Sequence, residues 1–363
     1  MADRKRVGGI ALYFYAHFQL IEKETIMKKI TALLLLLAVL TASLFASALA
    51  EKKITIVAAT FPLYDWTRQV LGENSDAELI LLMDSGVDLH SFNPTAQDIL
   101  RVASCDLFIY VGGESDEWVE DAQKHLINQD QIALSLMEIL GEAAKEEELV
   151  EGMQDDHDDH DDHDEDDDHD DHDEDDDHDE DEIEYDEHVW LSLRNAQLFT
   201  QAIADALCRL DAENAEAYQA NAAAYIAQLQ ELDARYADMR AKAAYDTILF
   251  GDRFPFRYLA DDYDLNYYAA FSGCSAETEA SFQTIVFLAG KTNELQLPAV
   301  LTIEGTDHRI AETIVQSTAD KNQQVLTVDS MQGTTAKAIS EGVTYLGVME
   351  KNLAVFAQAL DAE

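Results

Sequence analysis

The chain has 363 residues, 47% of them hydrophobic, and a formal net charge of −49. That length and apolar content suit one or two globular domains with a sizeable core. The charge excludes nucleic acid as a partner, because a phosphate backbone would repel it, and points to cations instead.

The charge is concentrated in one stretch. Every residue from Asp155 to Glu182 is Asp, Glu or His, with 22 acids and six histidines. Fold and charge run are therefore read separately. At the N-terminus, Lys28-Lys29 precede an apolar run centred on Leu33 to Leu40 and a small-residue end, Ala48-Leu49-Ala50. This order describes a cleavable export signal over residues 1–50, with cleavage after Ala50 and Met27 as a plausible start. No Cys stands at that cleavage site to carry a lipid.

Alternating strands and helices are expected from residue 51 to 140. Strands are read at Ile54 to Ala59, Glu78 to Leu82 and Leu107 to Val111. Helices are read at Phe61 to Leu71, Thr95 to Ala103 and Trp118 to Leu126. Residues 141–187 break this pattern and are expected to be disordered through self-repulsion. Order resumes at His188, with a helix from Asn195 to Arg209 closing the first lobe near residue 210. Residues 211–244 are rich in Ala, Gln, Glu and Leu without Gly or Pro, so a long connecting helix is expected over Ala212 to Ala244. From 245 to 363 the alternation returns. Strands are read at Thr247 to Phe250, Asn266 to Phe271, Ala299 to Ile303 and Gln324 to Val328. Helices are read at Phe254 to Asp262, Glu277 to Lys291, His308 to Ala319 and Ala336 to Ala359. The expected fold is α/β, with two similar lobes of mainly parallel sheet, one long helix joining them and a ligand cleft between.

Three cysteines, Cys105, Cys208 and Cys274, are far apart and odd in number. They allow at most one disulfide and are read as small buried side chains. Outside the acidic tract and the export signal four histidines remain: His90, His125, His188 and His308. His125 and His308 are read as surface or capping residues. His90 lies in the turn-rich loop Gly86 to Pro94, between a strand and a helix, where α/β proteins place function. His188 opens the ordered chain after the tract.

The segments GVDLHSFNP (86–94) and DEHVWLSL (186–193) resemble the first two ligand motifs of the ZnuA-like binding proteins for zinc and manganese uptake. Those motifs usually read G-x-D-P-H-x-(F/Y)-x-P and D-P-H-x-W-L-(D/S)-P. A His- and acid-rich loop between them, the long helix and Thr344-Tyr345-Leu346 also fit, and the similarity covers most of residues 52–360. It implies a monomeric, exported protein, periplasmic or at the cell surface. That protein binds Zn²⁺, or Mn²⁺ as the alternative, and hands the divalent ion to the membrane permease of an ABC importer. Its metal ligands would include His90 and His188. The sequence departs from the pattern in three places. Leu89 and Glu187 replace the prolines, and Arg253, in Arg253 to Leu259, stands where the third histidine is usual. A guanidinium has no lone pair for a metal. The resemblance places Asp329 at the acidic fourth position, and Glu304, ending a strand, is a further carboxylate able to face the cleft. The expected site is His90, His188 and Asp329, completed by Glu304, water or a tract histidine. Arg253 is expected to orient one of the carboxylates.

The tract histidines His157, His160, His163, His169, His172 and His178 interleave with Asp, a composition suited to many weak Zn²⁺ sites. The tract reads as a collector or sensor of zinc. A zinc metallohydrolase and a zinc store or chaperone are the alternatives, but no H-E-x-x-H, G-x-S-x-G or phosphate-loop motif is present. The chain is not expected to be an enzyme.

Overall fold

The computed structural model describes residues 53–72, 76–154, 184–275 and 279–362. The export segment and the six tract histidines lie outside these residues. The described residues from Ile54 onward form one compact unit.

Two four-stranded parallel sheets organise it. In the first, β1 (Thr55–Ala58) lies between β2 (Glu78–Leu81) and β3 (Leu107–Tyr110), and β4 (Ile132–Ser135) closes the order β2-β1-β3-β4. In the second, β5 (Thr247–Arg253) lies between β6 (Asn266–Phe271) and β7 (Ala299–Ile303), with β8 (Gln324–Val328) at the edge in the order β6-β5-β7-β8. The two sheets repeat one plan. Their central strands are covered on both faces, so Ile56, Val57, Phe108, Val300 and Leu301 are buried. β4 was not foreseen, because its apolar signal is only Ile132-Ala133-Leu134.

The flanking helices follow their local chemistry. Pro62 stands in the first turn of α1 (Phe61–Leu71), where its missing N–H costs nothing. Thr95 and Asp98 form a reciprocal cap on α2 (Ala96–Ser104). Short α3 (Trp118–Gln123) and α4 (Leu136–Leu140) complete the first half. Then α5 (Leu193–Leu210) and α6 (Ala215–Lys242) pack on each other. The 28 residues of α6 are the long helix. It also lies against α1 and against α11 (Tyr345–Ala359), so it is packed on both halves rather than a free rod.

In the second half, α7 (Arg257–Asp262), α8 (Phe282–Glu294) and α9 (Arg309–Ser317) start later than expected. The Ser281 hydroxyl caps α8. The expected helix from Ala336 to Ala359 is two, α10 (Ala336–Ser340) and α11. Gly342, at φ +98°, turns the chain out of helix, and the Thr344 side chain caps the restart.

One apolar core runs through both halves, joining Trp66, Trp190 and Tyr225 to Tyr236, Phe250 and Phe356. Tyr345 is its hub. Its ring meets Trp66 edge-on at 5.1 Å, its hydroxyl donates to the Trp190 carbonyl at 2.7 Å, and its N–H donates to buried Asp65. Each such large apolar side chain contributes about 1.5–3 kcal/mol by leaving water.

Residues 141–154 and 184–187, expected to be disordered, are structured. Glu146 and Tyr185 pair antiparallel, the Glu147 N–H donates to the Glu184 carbonyl, and Gln154 pairs with Phe271 of β6. Apolar and ion-pair contacts outweigh the charge there: Met153 packs on the core, and Lys145 pairs with Asp261 and Arg257 with Glu148. No helix among the described residues is long and apolar enough to cross a membrane.

Candidate metal centre

The loops leaving the C-terminal ends of the strands converge between the two sheets. After β2, Asp88 accepts from the His90 N–H at 3.1 Å and fixes a turn of 3₁₀ helix over Leu89–Ser91. This points His90 inward. Asp186 does the same for His188: its Oδ1 accepts from the His188 N–H at 2.8 Å and lies 3.1 Å from Nδ1. His188 is fully buried, and the Trp190 ring stands beside it at 5.2 Å.

The two imidazoles, 98 residues apart, meet with their Nε2 atoms at 3.2 Å. The Nδ1 of each is committed elsewhere. That of His90 lies 2.8 Å from Ser115 Oγ and 3.5 Å from Glu187 Oε2. With Nδ1 so engaged, each ring turns Nε2 toward the other. Burial, then the neighbouring His188, lowers the pKa of His90 to about 3, so its ring is neutral and has a lone pair to give. Burial also pushes Glu187 up to about 7. Glu187 Oε1 accepts from the Ser115 N–H, while its Oε2 has no hydrogen-bond partner.

Two nitrogens on a tetrahedral zinc at about 2.0–2.1 Å stand about 3.3–3.4 Å apart. The His90–His188 separation is already that of a shared ion. Cys274 completes the group: His90, His188 and Cys274 place one donor atom each within 4.8 Å of one another, the only such trio of His, Cys, Asp or Glu among the described residues. Cys274 follows β6 in Ser272-Gly273-Cys274. It was read as a small buried side chain, although its place after a strand is the signal that singled out His90. Cys105 is the buried side chain expected, and Cys105, Cys208 and Cys274 are all free thiols. Burial, then Glu147 and Asp186, holds the Cys274 thiol far above its usual pKa, so it is protonated in the metal-free protein.

The other expected residues stand around this trio. Arg253, at the end of β5, pairs with Asp88 at 2.9 Å rather than with Asp329 or Glu304. Burial opposes the Asp88 charge, but Arg253 and His90 outweigh it and hold that carboxyl below its usual range. Arg253 thus braces the first histidine loop from the opposite lobe. Glu304 accepts from the Ser330 N–H and hydroxyl, and Asp329 accepts from the Met331 N–H at 2.8 Å. These two carboxylates shape the loop after β8 and do not join the trio. That loop carries Gln332, whose Nε2 touches His188 Nε2 while its buried Oε1 has no partner. Sequence reasoning missed Gln332. His125 is exposed, and His308 precedes α9 at φ +60°, outside the site.

Two parallel-sheet lobes fused by a long helix, with paired imidazoles where the strand-end loops meet, define a protein of the two-lobed solute-binding class. The model of the ZnuA family, described as zinc-uptake complex component A, periplasmic, matches residues 56–359, and the chain belongs to this family. The zinc-binding protein AdcA of Streptococcus pyogenes is 28% identical over 329 residues, 90% of this chain and 60% of that protein. The chain therefore spans less than two thirds of that relative. The high-affinity zinc uptake system protein ZnuA of Bacillus subtilis is 28% identical over 308 residues, 85% of this chain and 88% of its own. Among solved structures, the Zn(II)-bound ZnuA-like domain of Streptococcus pneumoniae AdcA superposes with a TM-score of 0.64. It is 25% identical and covers 85% of this chain and 99% of that one.

Proposed function

We propose that this chain is an extracytoplasmic zinc-capturing protein that binds one Zn²⁺ between its lobes and delivers it, as a monomer, to the permease of an ABC importer. The observation that carries this reading is the pair of imidazoles, His188 buried and His90 partly so, with Nε2 atoms 3.2 Å apart, at the spacing a tetrahedral ion requires. The zinc-binding relatives and the family support it. The family is that of a zinc-uptake component, and on that ground the site is read as a binding site and not a catalytic one.

The acidic tract of residues 155–182 is proposed to collect zinc near this site. The full chain is to be titrated with Zn²⁺ against a chelator strong enough to strip weak sites. Wild-type protein should retain one tight ion and His90→Ala/His188→Ala none; equal stoichiometry and affinity would refute the reading. Replacing residues 155–182 with a neutral linker should remove several weak ions, those lost below about pH 6.5 as imidazoles protonate. Unchanged total stoichiometry would end the collector idea.

A further inference from the structure

We propose that Cys274 is the third ligand, so that the cargo ion sits in a nitrogen–nitrogen–sulfur site selective for borderline and soft metals over Mn²⁺. This rests on the reading of His90 and His188 as ligands and deepens it.

Geometry supports the assignment. A zinc-bound nitrogen and sulfur, at about 2.0–2.1 and 2.3 Å from the ion, are about 3.5 Å apart. Cys274 Sγ and one ring nitrogen of each imidazole lie within 4.8 Å of one another, so the three donors are already gathered around one point. The loop is built for close approach. A Cβ on Gly273 would lie 3.0 Å from Cε1 and Nδ1 of His188, so glycine lets the Cys274 backbone pass against that ring. Cys274 is also held at both ends of its loop. Its N–H donates to Glu147 Oε1 at 3.3 Å, and its neighbour Ser275 offers its carbonyl to Arg253.

Arg253, bonded to Asp88 and to the Ser275 carbonyl beside the trio, has no lone pair for a metal and cannot supply the third donor. Cys274 is the donor that the fold brings there. Beside His188, Gln332 Oε1 is buried without a partner, and turning that amide would bring a neutral oxygen to the site as a fourth donor. On binding, the Cys274 S–H bond breaks, the sulfur pair forms the metal bond and the proton passes to solvent. No oxidant or reductant is needed. Thiolate favours Zn²⁺ and softer ions, whereas Mn²⁺ prefers oxygen and binds most weakly of the divalent series.

One equivalent of Co²⁺ added to the reduced full chain tests this. The acidic tract contains no cysteine, so it cannot produce a thiolate-to-cobalt charge-transfer band. The band is expected in wild type, Cys105→Ser and Cys208→Ser, and absent in Cys274→Ser. Zinc affinity of Cys274→Ser should fall by more than the roughly 10–100-fold that a lost orienting partner costs. A roughly hundredfold excess of Mn²⁺ should leave the band in place. Should Cys274→Ser fail to fold, zinc X-ray absorption of the wild type decides, with one sulfur expected at about 2.3 Å. A tight ion with only nitrogen and oxygen neighbours overturns the Cys274 assignment while leaving zinc capture intact. Absence of any tight ion in wild type overturns the underlying reading instead.

Discussion

Asp186→Asn separates the tuning of a ligand from simple support of the fold. Asp186 and His188 are both buried, and one carboxylate oxygen meets both the backbone N–H and Nδ1 of His188. A carboxylate on Nδ1–H leaves the Nε2 lone pair to the metal and makes it more basic. Asparagine keeps the shape and one acceptor oxygen but loses the charge. A hydrogen bond to a charged group contributes about 1.5–3 kcal/mol and a neutral one about 0.5–1.5, so the metal-free protein should lose about 1 kcal/mol. Zinc affinity should fall roughly 10–100-fold, which is about 1.4–2.7 kcal/mol. Chelator-competed zinc titration measures the second quantity, and urea unfolding of the metal-free protein the first. Asp65→Asn is the control: Asp65 is a buried carboxylate that accepts from the Tyr345 N–H, away from the trio. It should cost stability and leave zinc affinity unchanged. Zinc affinity of Asp186→Asn within about twofold of wild type, with stability lowered, would show that Asp186 only supports the fold and would refute the argument.

Arg253→His, introduced with Cys274→Ser, should recover at least about tenfold of the zinc affinity lost in Cys274→Ser alone, because an imidazole replaces the missing donor; titration of the two variants side by side checks this. Glu304→Gln tests a pH dependence. Burial, then Asp329, raises the Glu304 carboxyl from 4.5 to about 7. The folded state then holds a proton that the unfolded state has released, so stability falls as pH rises from about 4.5 to about 7, by on the order of 3 kcal/mol in the limit. Glu304→Gln should flatten that part of a urea-midpoint profile, and an unchanged slope would contradict the assignment. Tyr345→Phe removes the 2.7 Å hydrogen bond to the Trp190 carbonyl and leaves a buried acceptor unpaired, so unfolding free energy should drop by about 1–3 kcal/mol.

The alternation of short β-branched runs with helical spacing showed the two α/β lobes and the long helix, because buried parallel strands and amphipathic helices leave opposite periodicities. Where a local signal was weak, the reading slipped. β4 has three apolar residues, and the break at Gly342 is hidden because Ala336 to Ala359 holds helical spacing on both sides of it. His90 and His188 were legible because each sits in a strong motif. Cys274 was not, since a lone cysteine has no partner in sequence and its partners arrive only through the meeting of the loops after β2 and β6. The placement of Asp329 and Glu304 at strand ends was legible, but their direction was not. Which way a carboxylate turns depends on the Ser330 and Met331 donors that the fold presents to it. Arg253 was legible as a departure, but its partner Asp88 lies 165 residues away.

The loops that carry Cys274 and His188 also meet the described residues that flank the acidic tract. Gln154, the residue before it, pairs with Phe271 three positions ahead of Cys274, and Glu147 of that strap accepts from the Cys274 N–H. On the returning side, Glu184 is hydrogen-bonded to Glu147, and four residues later comes His188. His169 is 15 residues from Gln154, so covalent geometry keeps it within about 50 Å of that anchor. On the collector proposal, an ion leaving the tract is released within that reach of the centre, which would raise the local zinc concentration without adding a contact to the bound ion. The two roles separate kinetically. With residues 155–182 replaced by a neutral linker, zinc association at the His90–His188 site should slow at low free zinc, and by less at high ionic strength, where the tract's charge is screened. Dissociation should stay unchanged, because no ligand has been removed. A faster off-rate in that variant would instead mean that the tract supplies a ligand to the bound ion.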